Sequence, residues 1–213
     1  MSVNLHKIYV KLLAHFGPQH WWPGDSAFEI SVGAILAQNT SWSNAAQAIK
    51  NLKDARVLQP MRLYKLGCSK IARLIKPSGY YRLKAKRLLN FLALVMSKYG
   101  GSFTKMNRVA LSRLRCELLS VNGIGPETAD SILLYALGKP IFVVDAYTKR
   151  IFERHHFIPS HSSYEDVQLF CMERLPADAL VFNEFHALIV RLAKEYCLKN
   201  NPKCRSCPLC YEK

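Results

Sequence analysis

No apolar run in this 213-residue chain reaches the roughly eighteen residues that a membrane-spanning helix needs, so no membrane partner is expected. The stretch through His15 carries His6, Lys7 and Lys11 inside a helical period rather than a charged end followed by an apolar block. The sequence therefore predicts a cytoplasmic protein, nucleoid-associated if bacterial, that is not secreted. Acidic residues are scarce. Asp and Glu number 15 against 30 Lys and Arg, giving a formal net charge of +15 and a pI near 9.6. That imbalance points to a polyanionic partner. Low-complexity linkers and repeats of solenoid period are missing. No strand is secure either. Residues Ile141 to Val144 are the one β-like run, and four residues ahead of a helix read as a buried connector.

What the chain has instead is helical period, broken by turn residues. Half of its residues are apolar, enough for one large core or two intimate small ones. The reading is all-α, with helices over 4–16, 28–38, 41–52, 59–66, 69–74, 81–99, 108–119, 146–155, 164–174 and 177–197. In the helix 81–99, Leu83, Leu88, Phe91, Leu92 and Val95 are expected inward, with Arg82, Lys84, Lys86 and Arg87 facing out at its start. Of seven cysteines, Cys68, Cys116 and Cys171 lie singly in apolar helical surroundings and read as small buried hydrophobes. The other four crowd the carboxyl end. A reducing compartment argues against disulfides there and for a metal.

The chain is organised around Leu118 to Arg150. Gly123 and Gly125 bracket Ile124 between two helical patterns, a tight turn that needs positive φ or close backbone approach. Pro126 then suits a first helical position, and the unpaired N–H groups of a helix start are natural partners for a phosphate. Asp145 follows the second glycine by twenty residues and stands at the start of another helix. This pattern, continuing through Thr128-Ala129 and Val143-Val144-Asp145-Ala146-Tyr147, resembles the helix-hairpin-helix signature of the endonuclease III superfamily of DNA glycosylases.

The resemblance implies an all-α fold of two helical subdomains with a DNA-binding cleft between them. One spans 20–136 and carries the hairpin; the other joins 1–19 to 137–213 and carries a cysteine-ligated cluster loop. It implies that Asn122, Gly123, Gly125 and Thr128 hold the DNA backbone, that Gln38 wedges into the gap left by a flipped base, and that Asp145 is catalytic. A base inside a duplex is out of reach, so such an enzyme must extrude it. Cleavage of the N-glycosidic bond builds positive charge on the sugar, which one carboxylate can stabilise while it orients or deprotonates a water. Read on its own, Asp145 is a helix cap, and both roles are compatible. Bifunctional members carry a lysine two residues after the second glycine, where this chain has Glu127. A carboxylate cannot form the imine of that chemistry. Lys139 and Lys149 do not match the nucleophile's place and read as surface or phosphate-contacting residues.

All three tryptophans lie in the two loops that flank Gln38. Trp21, Trp22, Pro23 and Trp42, with Glu127, match the base pocket of the 3-methyladenine branch of the superfamily; their other reading is packing at the subdomain junction. Aromatic faces attract a cationic ring by roughly 0.5–2 kcal/mol each. Cys197, Cys204, Cys207 and Cys210 have the spacing C-x6-C-x2-C-x2-C, against C-x6-C-x2-C-x5-C in endonuclease III. They are expected to hold a [4Fe–4S] cluster, with a four-cysteine zinc site as the alternative. The type enzyme of the 3-methyladenine branch lacks such a cluster, so its substrate does not transfer automatically.

The resulting expectation is a monomeric, monofunctional glycosylase acting on double-stranded DNA that contains a damaged base, an alkylated purine such as 3-methyladenine. The alternatives are an endonuclease III-like glycosylase for oxidised pyrimidines or deaminated or mismatched bases, and a non-enzymatic module that detects DNA distortion.

Overall fold

Most helices of this protein start where the sequence offers a cap or a proline. The structure is a computed structural model that describes residues 3–210, and among these residues it contains twelve α-helices and no strand. They are α1 (Leu5–Phe16), α2 (Ala27–Leu36), α3 (Trp42–Asp54), α4 (Pro60–Leu66), α5 (Cys68–Leu74), α6 (Tyr81–Tyr99), α7 (Phe103–Asn107), α8 (Leu111–Leu119), α9 (Pro126–Ser131), α10 (Ala146–Arg154), α11 (Tyr164–Met172) and α12 (Ala179–Glu195). The side chains of Asn4, Ser26, Ser41, Ser102, Asp145, Ser163 and Asp178 each accept a backbone N–H of the first turn that follows. α9 starts with proline and runs on as a π-helical turn, Ile132–Ala136. Among the described residues no helix is long and apolar enough to cross a membrane.

The chain divides into two units, Pro23–Lys139 and the remainder, up to Trp22 and from Pro140 onward. In the central unit α2 is buried along most of its length, from Phe28 and Glu29 to Ile35 and Leu36. A helix apolar all round belongs inside, and α2 lies against α3, α6, α9 and the π-helical turn. In the terminal unit α1 and α10 pack on α12, with Tyr9 edge-on to Phe185 at 5.9 Å between ring centroids. Ile141, Phe142, Val143 and Val144 are buried without forming a strand, which makes this run the connector that its brevity predicts.

Several expectations change. The helix read over 108–119 begins at Leu111, and α7 precedes it, capped by Ser102. Cys116 is exposed, because the buried face of α8 is Leu114, Glu117 and Leu118 and residue 116 lies off that stripe. In α6 the buried positions are Lys84, Ala85, Leu88, Phe91, Leu92, Val95 and Tyr99. Leu83 falls outside this stripe and is 47% exposed, whereas Lys84 is 1% exposed. Helical geometry thus overrides the chemical type of both residues.

Candidate active site

The hairpin between α8 and α9 is built as the two glycines suggest, but they differ. Gly123 has φ +96°, and a Cβ there would stand 2.3 Å from Arg87 Cγ. Gly125 is the N-cap of α9 in extended backbone, φ −93°, and a Cβ on it would meet nothing within 4 Å. The chain therefore requires glycine at 123 for its own conformation. At 125 the freedom that glycine leaves is on the outside. Arg115 clamps the two hairpin helices through a bidentate pair with Asp130, Nε to Oδ1 at 2.7 Å and Nη2 to Oδ2 at 3.0 Å.

Gln38 lies just past α2, two residues beyond the helix that was expected to contain it. Its Nε2 donates to the Gly123 carbonyl at 3.1 Å and to Thr128 Oγ1 at 2.9 Å, and its Oε1 accepts from Arg87 Nη1 at 2.5 Å. The structure thus brings Gln38, Gly123 and Thr128 together, with Thr128 buried and Gly123 partly so. Asn122 is exposed, and its carbonyl accepts from Asn90 at 3.0 Å. Beneath this group Lys84 donates to the carbonyls of Leu36 at 2.8 Å and Ser78 at 2.6 Å, tying down the end of α2. Sequence reasoning assigned Lys84 to the surface; its only signal was its place in the α6 stripe.

Burial, with Arg87 nearby, lowers the Lys84 ammonium from 10.5 to about 8. Between those values the unfolded chain holds more protons on this lysine than the folded one, so stability should rise with pH from about 8 to 10.5. Denaturant midpoints across that window should rise in the wild type and flatten in Lys84→Met. Equal slopes in the two proteins would contradict the buried ammonium.

Asp145 caps α10, as one of its two readings requires. Oδ1 accepts the Thr148 amide at 2.7 Å and the Thr148 hydroxyl at 2.9 Å, and Oδ2 stands 3.6 Å from Nε2 of His186 on α12. Burial alone would raise this carboxyl. The neighbouring His186 imidazole and the two Thr148 bonds outweigh burial and hold Asp145 below its ordinary 3.8, so it is ionised at neutral pH. His186 carried no motif and was not anticipated.

The pocket candidates are divided between the units. Trp21 and Trp22, half-buried, meet edge to face at 5.5 Å in the terminal unit. Pro23 and Trp42 line a cavity of about 420 Å³ in the central unit, with Asp25, Glu29, Lys50 and Lys53. Lys53 bridges Asp25 at 2.8 Å and Glu29 at 2.6 Å there. Glu127 is exposed in the first turn of α9. Tyr80, unremarked in the sequence, is 73% exposed and adopts φ +43° just ahead of α6.

Cys197, Cys204, Cys207 and Cys210 line one cavity of about 180 Å³ together with Arg154, His155, Tyr196 and Pro202. Burial pushes the Cys207 thiol up; the Leu209 amide pulls it down, and the other three thiols add to the rise. Among the described residues no three His, Cys, Asp or Glu side chains form a group that could hold a metal ion. The four soft donors that line this cavity are nevertheless of the chemical type that suits a sulfur-ligated group. Arg154 braces the loop, donating to the Leu198 and Lys199 carbonyls at 2.6 and 2.8 Å and to Cys197 Sγ at 3.3 Å.

A family model described as "HhH-GPD superfamily base excision DNA repair protein" matches residues 32–177. The chain is similar to the "Putative DNA repair glycosylase MJ1434" of Methanocaldococcus jannaschii, 45% identical over 207 residues that cover 96% of this chain and 93% of that protein. It also resembles the crystal structure of H. pylori 3-methyladenine DNA glycosylase (MagIII) bound to 1,N6-ethenoadenine. That likeness has a TM-score of 0.76 and 28% identity, and covers 90% of this chain and 96% of that one. A non-covalent endonuclease III–DNA complex shares the fold with TM-score 0.83 at 22% identity, over 98% of this chain and 92% of the other.

Proposed function

Since the chain belongs to the HhH-GPD superfamily of base excision DNA repair proteins, and so to the DNA glycosylases, we propose that it is a monofunctional enzyme. It excises an alkylated purine such as 3-methyladenine from double-stranded DNA by an Asp145-assisted attack of water. The observation that carries this reading is the Asp145 carboxylate, largely enclosed at the N-terminus of α10 with Oδ1 held by Thr148 and Oδ2 facing His186, contacts that keep its pKa below the ordinary value. A fixed negative charge in a dry site stabilises a developing cationic sugar far better than one in water. Glu127 in place of an amine supports water as the nucleophile. Trp21, Trp22, Pro23, Trp42 and Glu127 supply apolar faces and one negative charge, a set suited to a cationic ring. Likeness to a structure with a modified adenine bound supports the same substrate class.

DNA would be held at Asn122, Gly123, Gly125 and Thr128, with Gln38 as the wedge. In the structure the Gln38 amide is engaged with the hairpin, so insertion into DNA would exchange those bonds for bonds to bases. Tyr80, exposed beside the basic start of α6, suits stacking on a nucleobase. With a net charge of +15 the binding is electrostatic. If about four phosphates are neutralised, affinity should fall roughly a hundredfold between 50 and 200 mM salt. A flat salt dependence would contradict this interface.

Cys197, Cys204, Cys207 and Cys210 would hold a [4Fe–4S] cluster. When bound, it would cross-link the carboxyl-terminal loop. Thiolates of a single zinc lie within about 4 Å of one another, as 2.3 Å tetrahedral bonds require. The four cysteines line one cavity of about 180 Å³, room for a group several atoms across. Metal analysis should find about four iron per chain; one zinc would select the other site.

The function is tested with duplexes that carry methylated purines, thymine glycol or uracil, and with chromatography of the released bases. Free 3-methyladenine is the expected product. Release of thymine glycol or uracil alone would place the enzyme with the endonuclease III-like activities. Binding without release from any duplex would leave a distortion-binding module.

A further inference from the structure

The fold treats the two oxygens of Asp145 differently. Oδ1 takes both bonds of the helix cap, from the amide and the hydroxyl of Thr148. Oδ2 faces Nε2 of His186 at 3.6 Å, and the two side chains are only 13% and 6% exposed. The Phe142 ring lies nearly perpendicular to the imidazole, 79° at 6.2 Å between centroids, and limits how that ring can turn. All of these residues belong to one unit.

The last torsion of a carboxylate is broad, and turning it swings both oxygens together. The cap on Oδ1 limits that swing, and a second partner facing Oδ2 narrows it further. A separation of 3.6 Å is close contact but longer than a hydrogen bond. Catalytic contacts of this type commonly tighten when substrate binds. We infer that His186 is a positioning residue, whose imidazole aims Oδ2, the oxygen the cap leaves for chemistry, toward the sugar. The inference rests on Asp145 being the group that acts at the sugar. His186 itself need touch neither the sugar nor the base.

Two variants test it. His186→Phe keeps a flat ring and removes the nitrogen. His186→Gln keeps an N–H close to the place of Nε2. In the full-length protein, single-turnover base release from methylated DNA should fall at least tenfold in His186→Phe. Affinity for a duplex with an abasic-site analogue should stay within twofold, and His186→Gln should recover most of the rate. The 13C shift of the Asp145 carboxyl, measured without DNA, should move in His186→Phe and return toward wild type in His186→Gln. A wild-type rate in His186→Phe overturns the proposal, as does a loss of rate matched by an equal loss of affinity. An unmoved Asp145 carboxyl also overturns it. If the wild type releases no base while the Asp145 signal responds to His186→Phe, the glycosylase reading fails and the pairing of the two residues stands.

Discussion

Asp145→Asn is expected to slow base release by about 10²–10³-fold while the protein stays folded and binds DNA. Asparagine caps a helix as well as aspartate does, so the Thr148 amide and hydroxyl keep an acceptor in place of Oδ1. What disappears is the negative charge, and with it the means to stabilise a cationic sugar. The two readings of this residue, cap and catalyst, therefore separate in one variant. If Asp145 were only a cap, rate and stability would both be near wild type. Because the carboxyl lies below 3.8 in the folded protein, acidification should not remove its charge until the pH falls below that value. A wild-type pH–rate profile with a carboxylate limb near pH 5 would contradict this environment. So would an Asp145→Asn rate within threefold of wild type.

Gly123→Val and Gly125→Val should fail in different ways. At Gly123 a β-branched residue must adopt φ +96°, a strain of about 1–3 kcal/mol. Its Cβ also falls on the Arg87 side chain, whose guanidinium holds the Gln38 amide against the hairpin. Moving Arg87 loosens Gln38, and Gln38 then loosens Gly123 and Thr128. The expected result is a stability loss of at least about 2 kcal/mol, with DNA affinity down tenfold or more. Gly125 is extended and faces open space, so its valine variant should lose no more than about 1 kcal/mol, the value of a weaker cap. DNA affinity should still fall, because a branched side chain keeps a phosphate away from the start of α9. Equal destabilisation of the two variants, or wild-type DNA binding by Gly125→Val, would contradict this assignment. Denaturation midpoints and binding isotherms at one salt concentration decide both.

Much of this was legible in the chain because it is local. A cap, a proline at a helix start and a positive-φ glycine are written in adjacent residues, and α3, α9, α10 and the hairpin follow from them. Asp145 was legible for the same reason, as a favoured cap in a recognisable register. What the sequence hid lies across the fold. Lys84 reads as a surface lysine until the α6 stripe is seen to pass through it rather than through Leu83. His186 is one polar residue in the apolar run of α12, and only the packing of α10 on α12 brings it to Asp145. Gln38 was found by its neighbours in sequence, but its bonds to Arg87 and Thr128 join residues 49 and 90 positions away. Cys116 shows the opposite error, in which an apolar residue type was taken for a buried one.

The most direct measurement is a single-turnover reaction on a methylated duplex with borohydride present, read for free base, strand breaks and trapped protein–DNA adduct together. With Glu127 in the lysine position, the expected result is free 3-methyladenine, strands intact until alkali is added, and no adduct. A trapped adduct with nicked strands would mean that an amine of this chain attacks the sugar, and would contradict a water-based, Asp145-assisted mechanism.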